Sequence, residues 1–176
     1  MNTEVEAERI HLNLSVRHLL KSGYIRQLLN IVERYKVNPA QLVLEFSETA
    51  LTQNDKRSVA SLRRLSQAGF KLVIDHFGRG AGPLQFLYNY PFSKLKLDQD
   101  YVQRLETSTR ARAMLRHVAT LCDELEIELY AAGVKNESLA NILCELGVEF
   151  GQGNYVTKRL RSLESKAPSK ANGTLS

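Results

Sequence analysis

No apolar run in this sequence approaches the roughly 18–20 residues that span a bilayer, so a membrane helix is not expected. The first ten residues, MNTEVEAERI, are polar and acidic, unlike the apolar stretch of a signal peptide. Cysteine is scarce: only Cys122 and Cys144. Both fall in apolar helical patterns with no His or Cys partner at ligand spacing. They read as buried free thiols, and the cytoplasm is the expected compartment. The basic end of the chain (Lys158, Arg159, Arg161, Lys166, Lys170) lacks the interleaved aromatics that single-strand binders use. It reads as a solvated, flexible tail.

What is present points to one globular domain. The chain has 176 residues, 43% of them hydrophobic and 24% charged, enough for a sizeable core. The formal net charge of +5 favours an anionic partner without naming one.

Taken in order, strand and helix patterns alternate. IHLNLS at 10–15 reads as a strand. One long helical pattern follows, through Leu19, Leu20, Tyr24, Leu28, Leu29, Ile31 and Val32, and Asn38-Pro39 ends it. LVLEF at 42–46 is the second strand, and a helix over about 54–68 stops at Gly69. The third strand covers 70–75 and runs into a glycine-rich loop. A short helix at about 82–89, a strand at 95–98, a helix at 108–125 and a strand at 127–134 come next. A helix at 137–146 and a strand at 148–153 close the pattern. Strand–helix repetition implies a parallel sheet with right-handed crossovers. The expected fold is α/β, an incomplete TIM-type (β/α) barrel of six parallel strands alternating with helices. A barrel is favoured over an open sheet because Asn13, Glu45, Asp75, Lys96 and Gln152 each lie near the carboxyl end of a different strand.

The stretch KLVIDHFGRGAG, 71–82, carries an acid, an imidazole and three glycines at one strand end. Glu45 and Asp75 are carboxylates inside apolar strands, and each needs a cation, a metal or a hydrogen-bond donor. Two readings stay open. One is a structural ion pair with Lys96 or an arginine; the other is a divalent metal held by the hard oxygens of Asn13, Glu45 and Asp75. Strand alternation points His76 away from Asp75 unless the loop has already begun. Lys96, between Leu95 and Leu97, points to one face with Asp98 as near-neighbour. A dinucleotide-binding reading of GRGAG, with Asp98 20 residues after Gly78, is disfavoured. The spacing is not GxGxxG, and Pro83 sits where the helix should present amides.

Six segments in register, IHLNLS, LVLEFSET, GFKLVIDHFGRG, PFSKLKLDQDYV, YAAGVK and LGVEFGQGNYV, resemble the EAL domain of bacterial cyclic-di-GMP signalling over roughly 10–157. The resemblance implies a variant TIM barrel that hydrolyses one phosphodiester of cyclic-di-GMP with two Mg²⁺ or Mn²⁺ ions, giving linear pGpG. It makes Asn13, Glu45 and Asp75 metal-site residues. Glu48 becomes the acid that steadies the loop after the DDFG strand. Lys96 becomes the lysine that helps position the attacking water, and Gln152 the glutamine of the QG motif. It also divides the chain into a polar segment over 1–9, a partial EAL-like domain over 10–160 and a flexible basic tail over 161–176.

The departures are at the ligands. His76 stands where the family has the second DDFG aspartate. Ala132 and Lys135 stand where AEGVE has its two glutamates. GRGAGPL replaces GTGYSSL, and no EAL tripeptide precedes Ile10. The expectation is a degenerate, catalytically inactive regulator acting by nucleotide or protein binding, with no cofactor, or Mg²⁺ or Mn²⁺ if activity remains. Cyclic-di-GMP, another protein and a second copy in a dimer are the candidate partners. One alternative is a regulator of ribonuclease E-dependent small-RNA decay that does not use the nucleotide, a role known for one degenerate member. Another is a phosphodiesterase completed by a missing N-terminal part, since six strands leave an eight-strand barrel open.

Overall fold

Six short strands with alternating apolar residues, each but the last followed by a helical segment, assemble into one curled half-barrel. The structure, a computed structural model, describes residues 9–48, 56–80, 85–148, 150–153 and 155. The basic tail, most of the polar N-terminal segment and positions 81–84 of the glycine-rich loop lie outside those residues.

The strands are β1 (Ile10–Asn13), β2 (Leu42–Ser47), β3 (Lys71–Phe77), β4 (Lys94–Leu97), β5 (Glu128–Ala132) and β6 (Phe150–Gln152). All pairs are parallel and the spatial order is the chain order. The helices are α1 (Val16–Leu20), α2 (Tyr24–Arg34), α3 (Lys56–Gln67), α4 (Gln85–Asn89), α5 (Gln99–Arg104), α6 (Thr109–Glu124) and α7 (Glu137–Glu145).

The period-2 pattern sorts the sheet into two faces. One face presents Leu42, Leu44 and Phe46, then Leu72, Ile74 and Phe77, then Leu95, Leu97, Leu129 and Ala131. These join Leu62, Leu65, Val102, Leu115, Val118, Leu139 and Leu143 from the helices in one buried cluster. The other, concave face carries His11 and Asn13, Val43 and Glu45, Val73 and Asp75, Lys94 and Lys96, Glu128, Tyr130 and Ala132, as the strand register requires. Hydrophobic burial under the helices therefore leaves the polar residues along the inside of the curve.

Three expectations need correction. The long helical pattern after β1 is two helices, because Gly23 adopts φ +79 and breaks the chain between Lys21 and Tyr24. The segment after β4 contains α5, which six residues are too few to reveal by periodicity. Its signal was Asp98, whose carboxylate accepts the Asp100 N–H at 2.9 Å as an N-cap. Cys122 is buried, and burial pushes its thiol up to about 11, but Cys144 is exposed on α7 rather than buried. Among the described residues no helix is long and apolar enough to cross a membrane.

Phe46 is fully buried, 6.3 Å from Phe92 at a 60° interplanar angle. Phe46→Ala is expected to lower stability by about 3–5 kcal/mol. In urea titration this appears as a lower midpoint at unchanged slope.

Candidate functional site at the carboxyl ends of the strands

Glu45 is the centre of the concave face. It is 6% exposed and sits on β2, in register with Asn13 of β1. A carboxylate this deep requires cationic partners. Lys96, two strands away on β4, reaches it with Nζ at 3.0 Å from Oε2 and 3.2 Å from Oε1. His11 approaches from β1, with Nδ1 2.5 Å from Oε1. Lys96 Nζ also lies 3.7 Å from Asp75 Oδ1 on β3. One ammonium thus links two carboxylates, and the cluster spans β1, β2, β3 and β4. Burial pushes the Glu45 carboxyl upward, but hydrogen bonds from His11 and Lys96 and their charges outweigh it, and its pKa is lowered from the ordinary 4.5.

The end of β3 is irregular. Ile74 pairs with Leu95 and Phe77 with Leu97, so Asp75 and His76 together face Lys96 across a β-bulge. His76 takes a left-handed backbone, φ +57. The bulge undoes the expected alternation. His76 does not point away from Asp75; its Nε2 lies 3.5 Å from Asp75 Oδ2 and its Nδ1 3.2 Å from Asp98 Oδ2. Its backbone N–H donates to Asp75 Oδ1 at 2.9 Å. Asp98, 6% exposed, therefore caps α5 with one oxygen and holds His76 with the other.

Glu48 lies just past β2 and is buried. Its Oε2 accepts the N–H groups of Gly78 at 3.1 Å and Gly80 at 3.0 Å, fixing the start of the glycine-rich loop. Gly78 has φ +91, and a Cβ there would lie 2.9 Å from the Tyr101 ring on α5. The same helix reaches β5, where Gln103 Nε2 donates to the Gly133 carbonyl at 2.8 Å. So α5 ties the β3 loop to the end of β5.

Among the described residues, the remaining expected side chains make no hydrogen bond or ion pair with the cluster. Asn13 is exposed beside Glu45, and Ala132 pairs in register with the exposed Gln152. Lys135 is exposed beyond β5. Below the cluster, Lys94 Nζ binds Glu128 Oε2 at 2.7 Å and the Tyr130 hydroxyl at 3.1 Å, filling the curve with a second charged tier. His11 was missed by sequence reasoning. Its signal was its place two residues before Asn13, on the same strand face.

Read as a metal centre, this donor set is incomplete. Among the described residues no group of three or more His, Cys, Asp or Glu side chains is placed to hold an ion. Both oxygens of Glu45 are already engaged by the Lys96 ammonium, and Oε1 also by the His11 ring. Ala132 has no donor atom to offer.

A parallel half-barrel with polar residues gathered at its strand ends is a (β/α)-barrel site. The family model described as the EAL domain matches residues 2–159, and the chain belongs to that family. It is 33% identical over 123 residues to cyclic di-GMP phosphodiesterase RocR of Pseudomonas aeruginosa, covering 70% of this chain and 31% of that protein. Among solved structures, the EAL enzyme Bd1971 with cAMP and cyclic-di-GMP bound superposes with a TM-score of 0.75 at 25% identity, over 88% of this chain and 43% of that one. Klebsiella pneumoniae BlrP1, in a manganese and cyclic-di-GMP complex, gives 0.74 at 26% identity over 83% and 38%. The chain thus spans under a third of RocR and under half of either solved structure.

Because the Glu45 pKa is depressed, its ion pairs contribute stability above the ordinary carboxylate value, and that contribution is lost as pH falls through the lowered one. Glu45→Gln is expected to lower stability at pH 7 by about 1–3 kcal/mol. The difference from wild type should shrink below about pH 4.5, as followed by urea unfolding across a pH series.

Proposed function

We propose that this chain is a non-hydrolytic EAL domain of cyclic-di-GMP signalling, acting by binding the nucleotide or a protein rather than by turnover. The observation that carries this reading is the donor set: His76, Ala132 and Lys135 stand where the resembling family supplies acids.

Two-metal phosphodiester hydrolysis needs acidic ligands holding both ions about 3.5–4 Å apart, one to activate water and one to stabilise the leaving oxygen. Three positions that supply acids in the resembling family are His76, Ala132 and Lys135 here. Alanine cannot ligate, and lysine adds positive charge beside a cation site. Imidazole at His76 can ligate, but one ring nitrogen is already held by Asp98. Ligands of one centre act as a unit, so the surviving Asn13, Glu45 and Asp75 do not substitute for the lost ones. The residues present do not fit a two-ion centre, and no catalytic step is assigned to one.

Binding is a separate matter from turnover. The exposed Gln152 remains available to a nucleotide, and the positive net charge favours an anionic one. Incubation of the purified protein with Mn²⁺ and cyclic-di-GMP is expected to yield no pGpG above the protein-free rate. Turnover that disappears in Glu45→Ala would overturn the proposal. Calorimetry with cyclic-di-GMP in the presence of EDTA then separates the two modes. Saturable heat assigns the nucleotide, and its absence removes the nucleotide mode.

A further inference from the structure

The positive charge of this chain is sorted rather than spread. Residues 56–71 hold Lys56, Arg57, Arg63, Arg64 and Lys71 and no acid, whereas residues 117–134 hold Asp123, Glu124, Glu126 and Glu128 and no Lys or Arg. The cations of 56–71 are all exposed, on α3 and at the start of β3. Helical spacing explains the arrangement. Ser58, Leu62 and Leu65 are buried and turn one side of α3 into the core. The solvent side is left with Lys56, Arg57, Ala60, Arg63, Arg64 and Gln67. Lys56 and Arg63, like Arg57 and Arg64, are seven residues apart, which is two turns and about 10 Å along the axis. They form two parallel rows of positive charge. The α1–α2 turn extends the surface: Ser61 Oγ donates to the Leu19 carbonyl at 3.1 Å, and Lys21, two residues on, is exposed.

These charges do not serve the fold. Among the described residues, Lys56, Arg63, Arg64 and Lys71 make no ion pair. Lys56 and Arg57 stand in the first turn of α3, where the helix dipole disfavours cations, and that turn holds no acid. An external anion relieves both. We propose that the solvent face of α3, extended by Lys71 and Lys21, binds the phosphate backbone of duplex nucleic acid. The face itself favours this partner. Protein interfaces centre on buried apolar or aromatic anchors, and this face has none. Helices that lie on anionic membranes insert an apolar side, but Leu62 and Leu65 of α3 are already spent in the core. A row of phosphates asks only for spaced cations, and the arginine fork grips phosphate with two bonds. Such contacts carry no base information, so the binding is independent of sequence. The face lies on the helix layer, across the sheet from Glu45, and does not depend on what the concave face does.

The test is fluorescence anisotropy of a labelled DNA duplex of about 20 base pairs, titrated with the purified full chain. Wild type is expected to bind saturably, with log affinity falling against log salt at a slope of about −3 to −4, for about four phosphates neutralised. Arg63→Gln with Arg64→Gln is expected to weaken binding at least about tenfold and to flatten the slope by about 2. Arg110→Gln with Arg116→Gln removes the same net charge from exposed positions on α6, and its affinity is expected to stay within about twofold of wild type. If the α3 variant does not fold, as judged by circular dichroism, Lys56→Gln with Lys71→Gln serves the same comparison. Duplex RNA shares the phosphate chemistry, and a parallel titration shows which duplex is preferred. Four results overturn the proposal: no binding of either duplex, binding unchanged in the folded α3 variants, equal weakening by the α6 control, or uptake by phosphatidylcholine–phosphatidylserine vesicles in place of the duplexes. None of them bears on pGpG formation, which tests the concave face alone.

Discussion

A buried carboxylate cannot stand alone, and the way Glu45 is satisfied governs the concave face. Its partners come from β1 and β4, on either side of its own strand. Each strand is only a few residues long and contributes little register information by itself. The cluster of His11, Glu45, Lys96 and Asp75 supplies what the apolar face cannot, a pairing that is specific in chemistry as well as position. A one-residue slip of β1 or β4 would turn His11 or Lys96 into the helix layer and strand Glu45 without a partner. The helix-facing leucines set how strongly the sheet holds together. The charges set how it lines up.

A second layer of constraint surrounds β3. The bulge sends two consecutive side chains to the site, and each backbone feature that permits it is held by a neighbour. Asp75 accepts the His76 N–H, Asp98 holds the His76 ring, and Glu48 takes the amides of Gly78 and Gly80. These are charge-assisted bonds to largely buried acids, stronger than neutral ones. The loop start is thus fixed by the carboxylates of Glu48, Asp75 and Asp98. Through Tyr101 and Gln103, α5 extends the same scaffold to Gly133, just past β5.

Much of this was legible in the residues. Alternating strands and amphipathic helices gave the parallel half-barrel, and polar residues at five strand ends marked the site face. The pairing of Glu45 with Lys96 was one of two open readings of a carboxylate in an apolar strand. The rest depended on backbone conformations that side-chain patterns do not encode. Nothing in the order of Asp75 and His76 announces a bulge, so alternation sent His76 the wrong way. The break at Gly23 was hidden by apolar residues that continue the helical spacing on both sides. Six residues of α5 carry too little periodicity to separate from a loop, and Cys144 kept an apolar company in sequence that it does not keep in space.

The left-handed backbone at His76 has a consequence for the history of the site. Aspartate, asparagine and histidine are the non-glycine residues that enter this conformation most readily. The family's aspartate and this chain's histidine can therefore exchange on the same bulge without moving the strand. They are also one base apart in the genetic code. Such an exchange takes a single mutational step and leaves the fold intact, so only the charge pattern, not the chain path, would record it.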